Sequence, residues 1–137
     1  PKDHPGQMQR ANLVHNVSAV TGACMAVSKK KFLDVGGFDE KNLKVAFNDV
    51  DICLKLQKKG LRNLYTPHAV LYHHESKSRG KEDTLKKKLR FESEIEYMIA
   101  TWGDILLNDP SYNPNLSLEW KEQFEPAFPP RRFKFET

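Results

Sequence analysis

Nowhere in its 137 residues does the chain hold an apolar run approaching the roughly eighteen needed to span a bilayer, so no part of it is expected to cross one. The opening Pro1-Lys2-Asp3-His4-Pro5-Gly6 lacks both an initiator Met and a signal-peptide core, and it reads as an interior boundary with more protein expected upstream. Cysteine is scarce: Cys24 and Cys53 stand apart without C-x-x-C spacing, which argues against a disulfide framework and predicts buried free thiols in a reducing cytoplasm. A zinc site drawn from Cys24, Cys53, His73 and His74 is disfavoured, because adjacent strand residues point to opposite faces. Internal repeats and low-complexity tracts are also missing. No pattern interleaves aromatic with basic residues, so a nucleic-acid partner is not expected. The formal charge of +4 selects no partner by itself, since much of it comes from Lys86, Lys87, Lys88 and Arg90 on one helix that also carries acids.

What is present suits one soluble α/β unit with a moderate core. From Asn16 to Val27 small, apolar and partly β-branched residues predict a buried strand leading to a helix at about Lys29 to Val35. Gly36-Gly37 stops that helix, because glycine accepts the left-handed conformation of a C-terminal cap. Asn48 is placed to cap a second helix, with Asp49 and Asp51 in its first turn and Gly60 closing it. Short strands follow at Leu61 to Tyr65 and Ala69 to His73, separated by Thr66-Pro67. Lys81 to about Leu107 reads as one long amphipathic helix, with Leu85, Leu89, Phe91, Ile95, Met98, Trp102 and Ile105 at mostly three- and four-residue intervals. Beyond Asn108 a proline-rich tail looks extended or partly disordered. The division is therefore a lead-in at 1–17, an α/β body at 18–107 and an irregular tail at 108–137.

Chemistry concentrates in few places. Asp49-Val50-Asp51 spells a D-x-D, but residues two apart on a helix diverge by about 200°, so the two carboxylates do not easily share one ion. An acid near a helix N-terminus sits where the dipole favours negative charge, and it can accept a hydroxyl proton; capping the helix is the structural alternative. Ser76-Lys77-Ser78-Arg79-Gly80 is a basic, hydroxyl-rich loop able to fold over a diphosphate, or simply a solvated hinge. Thr21 and Gly22 suit either a backbone approached by a ligand or a tight packing contact.

Taken in order, Val20-Thr21-Gly22-Ala23-Cys24, Gly36-Gly37-Phe38-Asp39-Glu40, Asn48-Asp49-Val50-Asp51 and Tyr72-His73-His74 resemble the acceptor half of an inverting family 2 glycosyltransferase. Trp102 and the Asp109-to-Leu116 segment resemble the tail of bacterial polysaccharide, rhamnosyltransferase-like members. The resemblance covers about residues 10 to 118 and implies the C-terminal half of a GT-A fold, whose nucleotide-binding half of roughly 100 residues is not in this chain. It implies sugar transfer from a nucleotide-diphosphate donor to a glycan hydroxyl with inversion, in cell-surface polysaccharide synthesis. By the same resemblance Asp49 is the catalytic base, Thr21, Gly22 and Asp39 contact the acceptor, and Arg79 and Lys77 bind phosphate. His73, with His74 as the near alternative, ligates a divalent metal, Mn²⁺ or Mg²⁺. Asn48 departs from the family, which commonly has Glu there. The expected setting is cytoplasmic, at the inner face of the membrane. The chain alone is expected to be inactive, and an uncovered sheet edge favours a homodimer. The competing reading is a noncatalytic binding or oligomerisation module derived from such an enzyme.

Overall fold

The computed structural model describes residues 5–73, 84–119, 121 and 124–131. Among them it is a mixed α/β fragment. A short antiparallel pair joins β1 (His15–Val17) to β2 (Asn63–Tyr65), with His15 opposite Tyr65 and Val17 opposite Asn63. Three helices accompany the pair: α1 (Lys29–Asp34), α2 (Asn48–Lys58) and α3 (Leu85–Leu107).

The strand predicted over 16–27 is far shorter than expected. After β1 the chain turns through a 3-10 segment at Gly22–Cys24, whose first two N–H groups are met by the side chains of Asp49 and Thr21 rather than by a neighbouring strand. Ala69 to His73, also predicted as a strand, is not one. Val70, Leu71 and Tyr72 are exposed, and the sheet among the described residues contains β1 and β2 without this segment. Cys53 is buried as expected, but Cys24 is exposed because the turn that carries it lies at the surface.

Helix α1 starts where Ser28 accepts from the Lys31 N–H, and it ends at Gly36 and Gly37, with φ of 84° and 66°. There the Gly37 N–H returns to the Phe32 carbonyl, as predicted for a glycine C-terminal cap. At α2 the outcome differs from the prediction. Phe47, in the left-handed region at φ 62°, takes the cap position, and Asn48 lies inside the first turn. The donors around this start are met by acids instead: Asp49 Oδ1 accepts from Val50 N–H, and Glu94 on α3 accepts from Val45 and Ala46.

Helix α2 is the centre of the molecule. One side packs Leu54 with Leu43 and with Met98 of α3, bordered by Phe47, Val50, Tyr97, Trp102 and Ile105. The other packs Ile52, Cys53 and Leu56 beneath Val20, Met25, Phe32 and Leu61. A helix clothed on two sides must be apolar over most of its circumference, which accounts for Val50-Asp51-Ile52-Cys53-Leu54 reading almost without polar interruption. The long helix ends at Leu107 as predicted but starts at Leu85, after the Thr84 cap, rather than at Lys81, and its buried seam runs through Glu94 and Met98, while Leu85 and Leu89 are exposed.

The tail beyond Asn108 is irregular but anchored. Leu116 bridges Pro126, Ala127 N–H donates to Asn115 O at 2.8 Å, and Asp109 accepts a hydrogen bond from Ser18 Oγ beside β1. None of the helices is long and apolar enough to cross a membrane, among the described residues.

Candidate functional site

The site is built where the 3-10 turn meets the start of α2. Thr21 Oγ1 accepts from the Ala23 N–H at 3.3 Å, which holds the turn and leaves the neighbouring Gly22 N–H for α2. That N–H donates to Asp49 Oδ2 at 2.8 Å, and Val50 N–H donates to Oδ1 at 2.9 Å. Three of the predicted site residues, Thr21, Gly22 and Asp49, are thus brought together although 27 positions separate Gly22 from Asp49. A carboxylate offers about four lone-pair directions, so one backbone donor on each oxygen fixes the group while leaving acceptor capacity on both. Each bond is to a main-chain donor, so the orientation depends on the turn and not on a mobile side chain.

A side chain at position 22 would press on Asp49. A Cβ built there would lie 3.2 Å from Asp49 Cβ and 3.5 Å from Oδ2. Gly22→Ala is therefore expected to push the carboxylate by a few tenths of an ångström and to lower any reaction that uses it by about tenfold, with little change in thermal stability. Measuring initial rate and melting temperature on the same preparation checks this.

Asp51, the other acid of the D-x-D, faces away from this group and is completely buried. Trp102 Nε1 donates to its Oδ1 at 2.9 Å, and Lys55 pairs with Oδ2 at 2.7 Å while also donating to the Gly37 carbonyl. It joins α2, α3 and the end of the α1 turn, and it is a structural acid.

Asp39 has four donors within the chain: the N–H groups of Lys41 and Asn42, the Asn42 side-chain amide at 2.9 Å, and the Tyr97 hydroxyl at 2.7 Å. The Asn42 amide leads the effects that hold its carboxyl down to about 2, against opposition from burial. Its bond to Asp39 in turn raises the Tyr97 phenol. A carboxyl lowered on folding adds stability that is complete above its unfolded value near 4 and disappears as pH falls through the folded value. Asp39→Asn is accordingly expected to lower the melting temperature at pH 6 but to lose that difference as pH falls from about 4 to 2, as a series of melts against pH would show.

Glu94 and Tyr97 are the residues that the sequence reading missed. Glu94 is only 1% exposed, and its two oxygens accept from Val45 and Ala46 at 3.0 Å each. The available signal was an acid four residues before Met98 and eight before Trp102, inside the apolar stripe.

His73 is exposed, while His74, Lys77 and Arg79 lie outside the described residues. Among the described residues no group of three or more His, Cys, Asp or Glu side chains is placed to hold a metal. Among the described residues His73 therefore belongs to no such group. A groove of about 620 Å³ between α2 and α3, lined by Leu54, Lys58, Trp102 and Pro110 among others, lies along the last turns of α2. Neither Asp49 nor Gly22 lines this groove, whose α2 residues run from Leu54 to Lys58, about 7 to 13 Å along the helix from Asp49 at 1.5 Å rise per residue.

Comparison with known proteins adds a family. A family model described as "Glycosyltransferase like family 2" matches residues 2–91, which leaves Glu94, Tyr97 and Trp102 beyond the matched span. The chain is 50% identical over 119 residues to the uncharacterized protein y4gI of Sinorhizobium fredii, a match covering 87% of this chain and 13% of that protein. It is 36% identical over 105 residues to the O-antigen biosynthesis protein RfbC of Myxococcus xanthus, covering 75% of this chain and 8% of the relative. A third relative, an N-acetylglucosaminyl-diphospho-decaprenol L-rhamnosyltransferase of Mycobacterium tuberculosis, is 36% identical over 66 residues, covering 48% and 21% of the two chains. The chain thus spans between about a twelfth and a fifth of the length of these relatives. No solved structure matches.

Proposed function

This chain belongs to the glycosyltransferase-like family 2, and from that premise we propose that the protein containing it moves a sugar from a nucleotide-diphosphate donor to a glycan hydroxyl, with inversion at the anomeric carbon. The observation that carries the proposal is the Asp49 carboxylate, held at the start of α2 by the Gly22 and Val50 N–H groups with acceptor capacity to spare. An acceptor hydroxyl hydrogen-bonded to that capacity hands its proton to Asp49 as its oxygen attacks the anomeric carbon, and the nucleotide diphosphate departs from the opposite face. In-line attack of this kind inverts the configuration in one step. Thr21 and Gly22 are proposed to border the acceptor, and the missing side chain at Gly22 is what lets Asp49 come close to that turn.

The finer parts of this reading have different support. The names of the O-antigen and rhamnosyltransferase relatives support polysaccharide synthesis, with the cytoplasmic side of a bacterial membrane as the proposed setting. His73 is the residue proposed to help hold a divalent ion, which would supply positive charge near the diphosphate. Arg79 and Lys77 are proposed phosphate contacts. Asp39 is proposed to act at the acceptor side through the loop it organises. Exposed Leu64, Val70, Leu71 and Tyr72 support self-association as part of the same reading.

The test is an assay of the full-length protein with a nucleotide-diphosphate sugar and a lipid-linked glycan acceptor. Acceptor-dependent release of the nucleotide diphosphate, with the product's anomeric proton coupling opposite in configuration to the donor's, is expected. Retained configuration would overturn the single in-line step. Residues 1–137 alone are expected to give no transfer in the same assay, because donor contacts are proposed to come from elsewhere in the whole protein; measurable turnover by this piece would contradict that.

A further inference from the structure

We propose that Glu94 is a positioning residue for Asp49: from α3 it fixes the turn out of which α2 starts, and so sets where the reacting carboxylate stands. The inference rests on the reading of Asp49 as the base.

The geometry is a buried clamp. Glu94 is almost wholly withdrawn from solvent, and each of its oxygens takes one backbone donor, Val45 on Oε1 and Ala46 on Oε2. Arg90, one turn earlier on α3, lies 3.7 Å from Oε1 and supplies positive charge on the same side. The next residue, Phe47, adopts φ 62°, a region that a bulky side chain enters only when its surroundings compel it. Two contacts do so. The clamp fixes the two residues before it, and the Phe47 ring stacks on Phe91 of α3 with centroids 5.5 Å apart and planes inclined by 25°.

Immediately after this bend, Asp51 N–H closes the first helical hydrogen bond on the Phe47 carbonyl at 2.8 Å. Asp49 therefore leaves the bend within the first turn, and the direction of that turn is inherited from residues 45–47. A bidentate carboxylate grip on consecutive N–H groups specifies that direction more tightly than one bond would. Packing alone could hold the helix against α3 while letting its first turn pivot; the clamp removes that freedom.

Glu94→Gln tests this, because an amide keeps one acceptor and turns an NH₂ toward the other N–H, so that either Val45 or Ala46 N–H loses its Glu94 acceptor. In the full-length protein, hydrogen exchange at Val45 and Ala46 is expected to quicken, and kcat to fall by about 10²-fold while KM stays within about threefold. In an Asp49→Asn background the same substitution is expected to cause no further loss, since displacing an absent base changes nothing. An unchanged kcat alongside quickened exchange overturns the proposal, as does a loss that multiplies in full onto Asp49→Asn. Should Glu94→Gln fail to fold, Glu94→Asp, which keeps the charge but withdraws it by one methylene, carries the same measurements. Failure of both to fold overturns the proposal by making Glu94 a residue of stability. Asp49→Asn alone, with turnover intact, identifies the separate case in which the base assignment is at fault.

Discussion

Asp51→Ala lowers the stability of this domain by about 2–4 kcal/mol, the largest stability effect expected of any polar substitution in α2. The acid is completely buried and receives Trp102 on one oxygen and Lys55 on the other. Its removal leaves the indole N–H with no acceptor in the seam between α2 and α3, and that unmet donor contributes most of the loss. Lys55, about a quarter exposed, recovers part of its solvation by turning outward, which keeps the loss below that of a fully buried ion pair. Trp102→Phe approaches the same bond from the other side. It strands Oδ1 while keeping most of the ring packing, and it is expected to cost about 1–3 kcal/mol. Denaturant unfolding of the two single variants and the double variant separates the shared bond from the rest; a sum of independent losses would count against a direct coupling. Because neither side chain touches the Gly22–Asp49 group, any loss of transfer should track the unfolded fraction.

The contrast between Asp49 and Asp51 was legible in the sequence to a useful degree. Helical geometry separates residues two apart, so a shared metal ion was disfavoured, and the structure sends the two acids to different surroundings. The glycine stops at Gly36, Gly37 and Gly60 were also legible, because each requires a positive φ that other residues avoid. Juxtaposition was less so. Gly22 and Asp49 are linked by a main-chain N–H, and a backbone donor leaves no trace in residue identity. Glu94 escaped for the opposite reason. Its charge argued for the solvent side of an amphipathic helix, yet two backbone donors across the interface make burial tolerable. The start of α2 was misread in the same way, since Asn48 has the chemistry of a cap, but Val50 N–H donates to Asp49 Oδ1 and Asp51 N–H to the Phe47 carbonyl. The strand expected at Ala69 to His73 had suitable residues, and a strand exists only where a neighbour receives its hydrogen bonds. Periodicity placed α3 well but not its seam, because the stripe was read from apolar residues alone and the buried row includes an acid.

Asp49→Asn is expected to leave the fold intact and to slow transfer by about 10³-fold, the largest effect on activity. The amide preserves shape and can still accept from Val50 N–H, and the exposed Gly22 N–H can turn to water, so that, unlike at buried Glu94, the turn and helix keep their places. It cannot take up a proton from an attacking hydroxyl. The loss should fall on kcat, because the proton moves only as the new bond forms, while donor affinity depends on contacts elsewhere. Melting temperature within about 2 °C of the unsubstituted protein is expected alongside.

The decisive measurement is a single-turnover assay of the full-length protein carrying Asp49→Asn, with donor prebound and acceptor added in excess, so that product release does not enter. Transfer slowed about 10³-fold, with donor affinity within about twofold, is the predicted result. Transfer at the unsubstituted rate would contradict it and remove Asp49 from the reaction.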